Sequence, residues 1–171
     1  MTEETKQNPP NLFTDPNFVG MSKAGKLTVA NLLVYTQHES DVPGLFMLSE
    51  SQSMEANKAT LDRFITHWAE RVSASTSPSE LLAELKVFGW LQTDVSRNLV
   101  RIPKAPLFMP PANRGTAAKW AAAISKFPRC DLQERHLQTL RQACSHNAEL
   151  SFAFASCLID GTEQCPSPYG E

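Results

Sequence analysis

Four prolines fall within nine residues, at Pro103, Pro106, Pro110 and Pro111, and no other feature of the sequence limits the fold so firmly. Each ring removes a backbone donor and fixes φ, so Pro103-Lys104-Ala105-Pro106-Leu107-Phe108-Met109-Pro110-Pro111 can extend neither a sheet interior nor a helix. The expectation is an ordered linker over residues 103–115 that separates two differently patterned halves.

Upstream, residues 1–26 scatter Pro9, Pro10, Pro16, Gly20 and Gly25 among polar residues. This predicts an irregular arm, anchored by Leu12, Phe13 and Phe18. Leu27 to Tyr35 gathers Val29, Leu32, Leu33, Val34 and Tyr35, and Leu45-Phe46-Met47-Leu48 forms a second β-leaning run. With Asp41 to Gly44 as the turn, the two predict a hairpin.

From Ser53 the period lengthens: Met54, Leu61, Phe64, Ile65, Trp68, Ala69 and Val72 predict an amphipathic helix. Ser77-Pro78-Ser79-Glu80 joins a capping box to proline at the first helical position, and Leu81, Leu82, Leu85 and Phe88 give that helix its buried face. Gly89 suits a left-handed stop, after which Trp90–Thr93 and Asn98–Ile102 can pair as a wing across Asp94–Arg97.

Beyond the linker, Thr116 is a candidate cap for a helix bearing Trp120, Ala123, Ile124 and Phe127, and Asp131-Leu132-Gln133-Glu134 opens another that runs to about Cys144. Asn147 can cap a third helix, apolar nearly all round, which implies burial or contact with another protein. The tail after Gly161 reads as irregular. The fold class is therefore α+β: an arm over 1–26, a hairpin and winged-helix module over 27–102, the linker over 103–115, and a helical extension with its tail over 116–171.

At 171 residues, 42% of them hydrophobic and 20% charged, the chain can build a substantial core without covalent staples. No apolar run approaches the roughly 20 residues of a membrane span, and the polar start Met1-Thr2-Glu3-Glu4 gives a cytoplasmic expectation with no membrane partner. Cys130, Cys144, Cys157 and Cys165 include no C-x-x-C pair, so reduced thiols are expected. Charge is uneven. Residues 1–94 hold 12 acids and 7 bases, whereas residues 95–141 hold 2 acids and 9 bases: Arg97, Arg101, Lys104, Arg114, Lys119, Lys126, Arg129, Arg135 and Arg141. Such a stretch attracts a phosphate backbone or an acidic protein surface.

Self-sufficient chemistry is hard to find. The phosphate-loop, dinucleotide, nucleophile-elbow and zincin signatures are absent from the sequence. Cys130, His136, Cys144 and His146 could be imagined as metal ligands, yet their spacing is not that of a familiar zinc module, and buried helix cysteines explain the same residues. His38 sits near a turn and His67 on a helix, each without a catalytic partner in the sequence. A DNA-reading winged helix would use the second helix, but Glu80 and Glu84 oppose Lys86 there and disfavour a phosphate groove. Nucleic acid is therefore the weaker expectation, and would draw on Arg97 and Arg101.

The hairpin around Leu32-Leu33-Val34-Tyr35 and Gly44-Leu45-Phe46-Met47-Leu48-Ser49, the helix around Phe64 and Trp68, and Ser79-Glu80-Leu81-Leu82-Ala83-Glu84-Leu85-Lys86-Val87-Phe88-Gly89-Trp90-Leu91 together resemble the peptide-recognition winged helix of ribosomal peptide pathways, of the pyrroloquinoline quinone chaperone type. In that family a leader peptide adds a strand to a sheet edge and packs on a helix. The resemblance implies a peptide site at Leu45, Phe46, Met47, Leu48 and Ser49, walled by Leu82, Leu85, Lys86 and Phe88. The combination of this module with a helical extension at 116–160 is similar to the smaller subunit accompanying multinuclear iron oxidases in methanobactin-type peptide modification. This implies a non-catalytic accessory subunit of a heterodimer that binds a precursor peptide. Its larger metal-dependent partner would carry the iron, with no cofactor or metal in this chain. Arg97, Arg101, Lys104, Phe108, Arg114 and Trp120 are then the docking candidates.

Overall fold

The computed structural model describes residues 11–48, 53–73 and 75–159. The fold class is α+β, as the sequence predicts: helices surround a small three-stranded antiparallel sheet, and the carboxy-terminal part is helical. No described helix is long and apolar enough to cross a membrane.

The described part of the arm, from residue 11, is built of short helical turns. Leu12–Thr14 forms a 3-10 turn, and α1 (Pro16–Val19) follows with Asp15 accepting from the amides of Asn17 and Phe18. Phe18 is buried and Leu12 packs on the core, but Phe13 is 76% exposed.

The predicted strand at 27–35 is overturned. Those residues lie inside α2 (Lys23–Glu39), whose cap Ser22 accepts from the Gly25 amide. Gly25, Thr28, Val29, Leu32, Leu33 and Thr36 are buried at helical spacing, while Leu27 and Val34 face outward at 45% and 56% exposure. The β-leaning composition yields to this 3.6-residue burial stripe, because only a helix puts all six positions on one face.

The predicted hairpin disappears with it. β1 (Leu45–Met47) pairs instead with a strand more than fifty residues later: β2 (Gln92–Asp94) and β3 (Leu99–Arg101) form the expected wing, and the order β1-β3-β2 places β3 in the centre. Gly44 makes the turn into β1 at φ +80°, and its carbonyl accepts from the Ile102 amide at 2.7 Å. A Cβ there would stand 2.6 Å from the Ile102 carbonyl oxygen and 2.6 Å from the Ala105 Cβ. Between β1 and β2 run α3 (Met54–Val72) and α4 (Pro78–Val87), so the order of elements in this part is α2, β1, α3, α4, β2 and β3. Gly89 ends α4 at φ +71°, and the Trp90 amide turns back to the Leu85 carbonyl, as expected for a left-handed stop.

The proline run is not wholly irregular. Ala105–Phe108 closes one helical turn, α5, with Pro106 in its first turn, where a missing amide costs nothing. Then come α6 (Arg114–Ile124), α7 (Asp131–Cys144) and α8 (Ala148–Ile159). Asn113, rather than Thr116, caps α6, and Asn147 caps α8 as expected, accepting from the amides of Glu149 and Leu150. Asp131 lies inside α7 and pairs with Arg135, so its predicted capping box is not formed.

The sheet is the middle layer between two cores. Phe46 and Val100, paired in register, face a core built from α1 to α4. Leu45 and Leu99 face the other way and join Trp120, Ala121, Ile124, Leu140 and Phe154 of the carboxy-terminal helices.

Candidate functional site

The sheet has two edges, and β1 is one of them. The Gly44 carbonyl and the Leu48 amide both bond to the β3 side, so the alternation of an antiparallel pair turns the amides and carbonyls of Leu45 and Met47 outward. Leu45 is already satisfied: its amide donates to the Val42 carbonyl at 3.2 Å and its carbonyl accepts from the Ser40 hydroxyl at 2.7 Å. Among the described residues, Met47 alone in β1 turns both backbone groups outward with no partner, and its side chain is 43% exposed.

Beside this edge stands an aromatic wall. Phe46 meets the rings of Tyr35 and Phe64 at 5.6 and 5.5 Å between centroids, and Tyr35 and Phe64 each meet Trp68, at 5.8 and 6.1 Å. Tyr35 comes from α2, and Phe64 and Trp68 from α3. The Trp68 indole Nε1 is buried without an acceptor among the described residues, an uncommon state for so strong a donor.

The residues expected to form the peptide site are only partly brought together. Leu45, Phe46 and Leu85 are core residues with 0%, 7% and 0% exposure and offer no surface. Ser49 lies outside the described residues. Leu82 faces a groove of about 370 Å³ shared with Asp62, Ile65, Thr66, Pro78 and Ser79, so it looks toward α3. Phe88 lies against Gly20 at the end of α1, and Lys86 is exposed. The wall beside β1 is thus supplied by α2 and α3, not α4. Phe64 and Trp68 carried that signal in their helical spacing, but Tyr35 was hidden by its assignment to a strand.

The expected docking residues fare similarly. Trp120 is buried in the carboxy-terminal core, and Phe108 stacks on Trp90 at 5.8 Å. Lys104 donates to Asp15 at 2.6 Å and lies 5.3 Å over the Trp90 ring, tying the arm to α5. Arg97 is held by Asp94 at 3.0 Å. Burial pushes the Asp94 carboxyl upward, but hydrogen bonds from Ser96 and Arg97 and the charge of Arg97 outweigh it and hold the group below its ordinary value. Arg114 is exposed.

Arg101 departs furthest from expectation, being only 6% exposed. Register sets it opposite Leu45 and Gln92 on the face that meets α7. Its guanidinium donates to Gln92 Oε1 at 2.7 Å, Thr139 Oγ1 at 2.8 Å, the Arg135 carbonyl at 3.0 Å and His136 Nδ1 at 3.3 Å. Because arginine only donates, His136 Nδ1 must accept, and Nε2–H then donates to the Pro43 carbonyl at 3.0 Å. Burial, reinforced by the Arg101 charge and opposed by the Pro43 carbonyl, pushes the imidazole down to about 3. Burial, with the charge of Arg135, lowers Arg101 to about 10. This knot of neutral acceptors around one cation joins β2, β3, the turn before β1, and α7.

The imagined metal group is not assembled. His136 has both nitrogens engaged, burial raises the Cys144 thiol to about 11, and His146 is exposed. Among the described residues no cluster of three or more His, Cys, Asp or Glu side chains could hold a metal ion. No family model, curated protein or solved structure matches this chain.

Proposed function

We propose that the chain is a non-catalytic accessory subunit that captures an extended segment of a precursor peptide at the β1 edge and presents it to a larger, metal-dependent enzyme of the iron-oxidase kind. The observation that carries this reading is Met47: an outward amide and carbonyl at a sheet edge, next in sequence to Phe46, whose ring packs on the half-buried rings of Tyr35 and Phe64. A single outward residue offers two main-chain bonds, so side-chain packing on that wall must supply the rest of the affinity.

Winged-helix DNA binding is the weaker reading because the bases it would need are occupied. Arg101 is buried, Arg97 is bound to Asp94, and on α4 Glu84 accepts from the amide and hydroxyl of Ser22 while Glu80 is exposed.

The test uses extended twelve-residue peptides enriched against the full chain by phage display, with affinities read by fluorescence anisotropy. Met47→Pro removes an amide that faces away from β3, a place where proline leaves the sheet intact, and is expected to weaken binding at least tenfold, roughly the worth of one well-made main-chain bond. Met47→Leu keeps that amide and should bind as the parent does. Peptides that ignore Met47→Pro, or duplex DNA binding that falls steeply with salt and with Arg97→Ala, would overturn the reading.

A further inference from the structure

The carboxy-terminal helices leave a second surface unfilled. Between α7 and α8 lies a cleft of about 290 Å³, lined by Arg141 and Cys144 on one side and Ser151, Phe154, Ala155 and Leu158 on the other. The four α8 residues fall at i, i+3, i+4 and i+7, so they form one stripe about 10 Å long, matching two turns of a facing helix. Phe152, 67% exposed, borders the same stripe and widens the apolar area.

Among the described residues, Arg141 is the sole charged one lining this cleft, and it has neither an ion pair nor a hydrogen bond there. The surrounding helices are cationic, since residues 114–159 carry six bases (Arg114, Lys119, Lys126, Arg129, Arg135, Arg141) against three acids (Asp131, Glu134, Glu149). Like charge therefore disfavours a basic occupant, and the cation at the apolar stripe selects a carboxylate.

We infer that this cleft docks an amphipathic helix of the partner enzyme, with its apolar stripe on Ala155 and Leu158 above the buried floor of Phe154 and an acidic side chain on Arg141. The inference rests on the accessory-subunit reading but uses a surface separate from the β1 edge. Helix-in-groove recognition requires this combination, in which apolar anchors supply affinity and a rim charge fixes polarity and register.

Two synthetic helices test it on the full chain. Both carry leucines at i, i+3, i+4 and i+7, one flanked by glutamates and the other by lysines. The acidic helix should bind about fivefold more tightly, as for a rim ion pair. Arg141→Glu should reverse that preference, a gain that no folding defect can imitate. Ala155→Lys, at an exposed position, should abolish binding of both, and Met47→Pro should change neither, so failure here is distinct from failure of peptide capture. Equal affinity for the two helices, an unreversed preference in Arg141→Glu, or a dimer of the chain that Ala155→Lys dissolves would overturn the assignment.

Discussion

The two faces of the sheet are built on opposite principles. Phe46 and Val100 meet an apolar, aromatic core in which Tyr35, Phe64 and Trp68 pack edge to face. The opposite face adds to Leu45 and Leu99 a buried cation, Arg101, whose partners are a glutamine, a threonine, a backbone carbonyl and a neutral histidine. An apolar layer degrades gradually under substitution, since neighbours repack. A polar knot is all or nothing, because removing one member leaves the others buried and unpaired. The amino-terminal module is thus held to the sheet by shape, and the helical extension by apolar packing on Leu45 and Leu99 together with a specified set of donors and acceptors.

One pair of substitutions measures that difference. Arg101→Met keeps the bulk but strips the donors from Gln92, Thr139, the Arg135 carbonyl and His136, and is expected to cost about 3 kcal/mol in urea unfolding. Phe46→Leu keeps the aromatic layer apolar and should cost about 1 kcal/mol. If Arg101→Met proves neutral or stabilising, as can happen when a buried charge is replaced by a well-packed apolar residue, the knot is not what holds the extension.

Acid should separate the faces next. The unfolded state protonates His136 near its ordinary 6.5, whereas the folded imidazole stays neutral down to about 3. Its contribution is therefore complete above pH 6.5 and is lost progressively as pH falls toward 3. At pH 5 the loss amounts to about 2 kcal/mol, from 1.36 kcal/mol per pH unit over the interval. His136→Gln should remove this part of the pH dependence in paired unfolding curves at pH 7 and pH 5. A pH slope identical in the two proteins would show that the histidine is not held neutral.

The same contrast explains what could be read from the sequence. Elements governed by local periodicity were legible: α3 through its apolar spacing, the wing through Gly89 and the Asp94–Arg97 turn, and α8 through Asn147. α2 was not, because its buried stripe includes Gly25, Thr28 and Thr36, which blur a hydrophobic period, while Leu32-Leu33-Val34-Tyr35 reads as β. The partners of Arg101 were illegible for a different reason. His136 lies 35 residues away, and a list of bases gives charge without burial. Arg101 and Trp120, expected at a docking surface, are buried for this reason, and the wall beside β1 comes from α2 and α3 instead of α4.

Helix caps provide the finest comparison between the two halves. Ser77-Pro78-Ser79-Glu80 is the clearest start signal in the sequence, yet Ser77 caps α4 without a side-chain bond to the backbone, its hydroxyl meeting that of Ser79 at 2.9 Å. Asn147 has a less distinctive context but accepts the Glu149 amide at 2.8 Å. Asn147→Ala should therefore cost about 1 kcal/mol, the usual worth of a cap whose side chain holds an orphan donor. Ser77→Ala should cost only a few tenths of a kcal/mol, because Pro78 already presets the first turn and no backbone amide loses a partner. Thermal unfolding of the two variants reads the difference directly. A larger loss for Ser77→Ala would mean that the hydroxyl caps α4 in solution after all, and the motif would then have told more than the geometry.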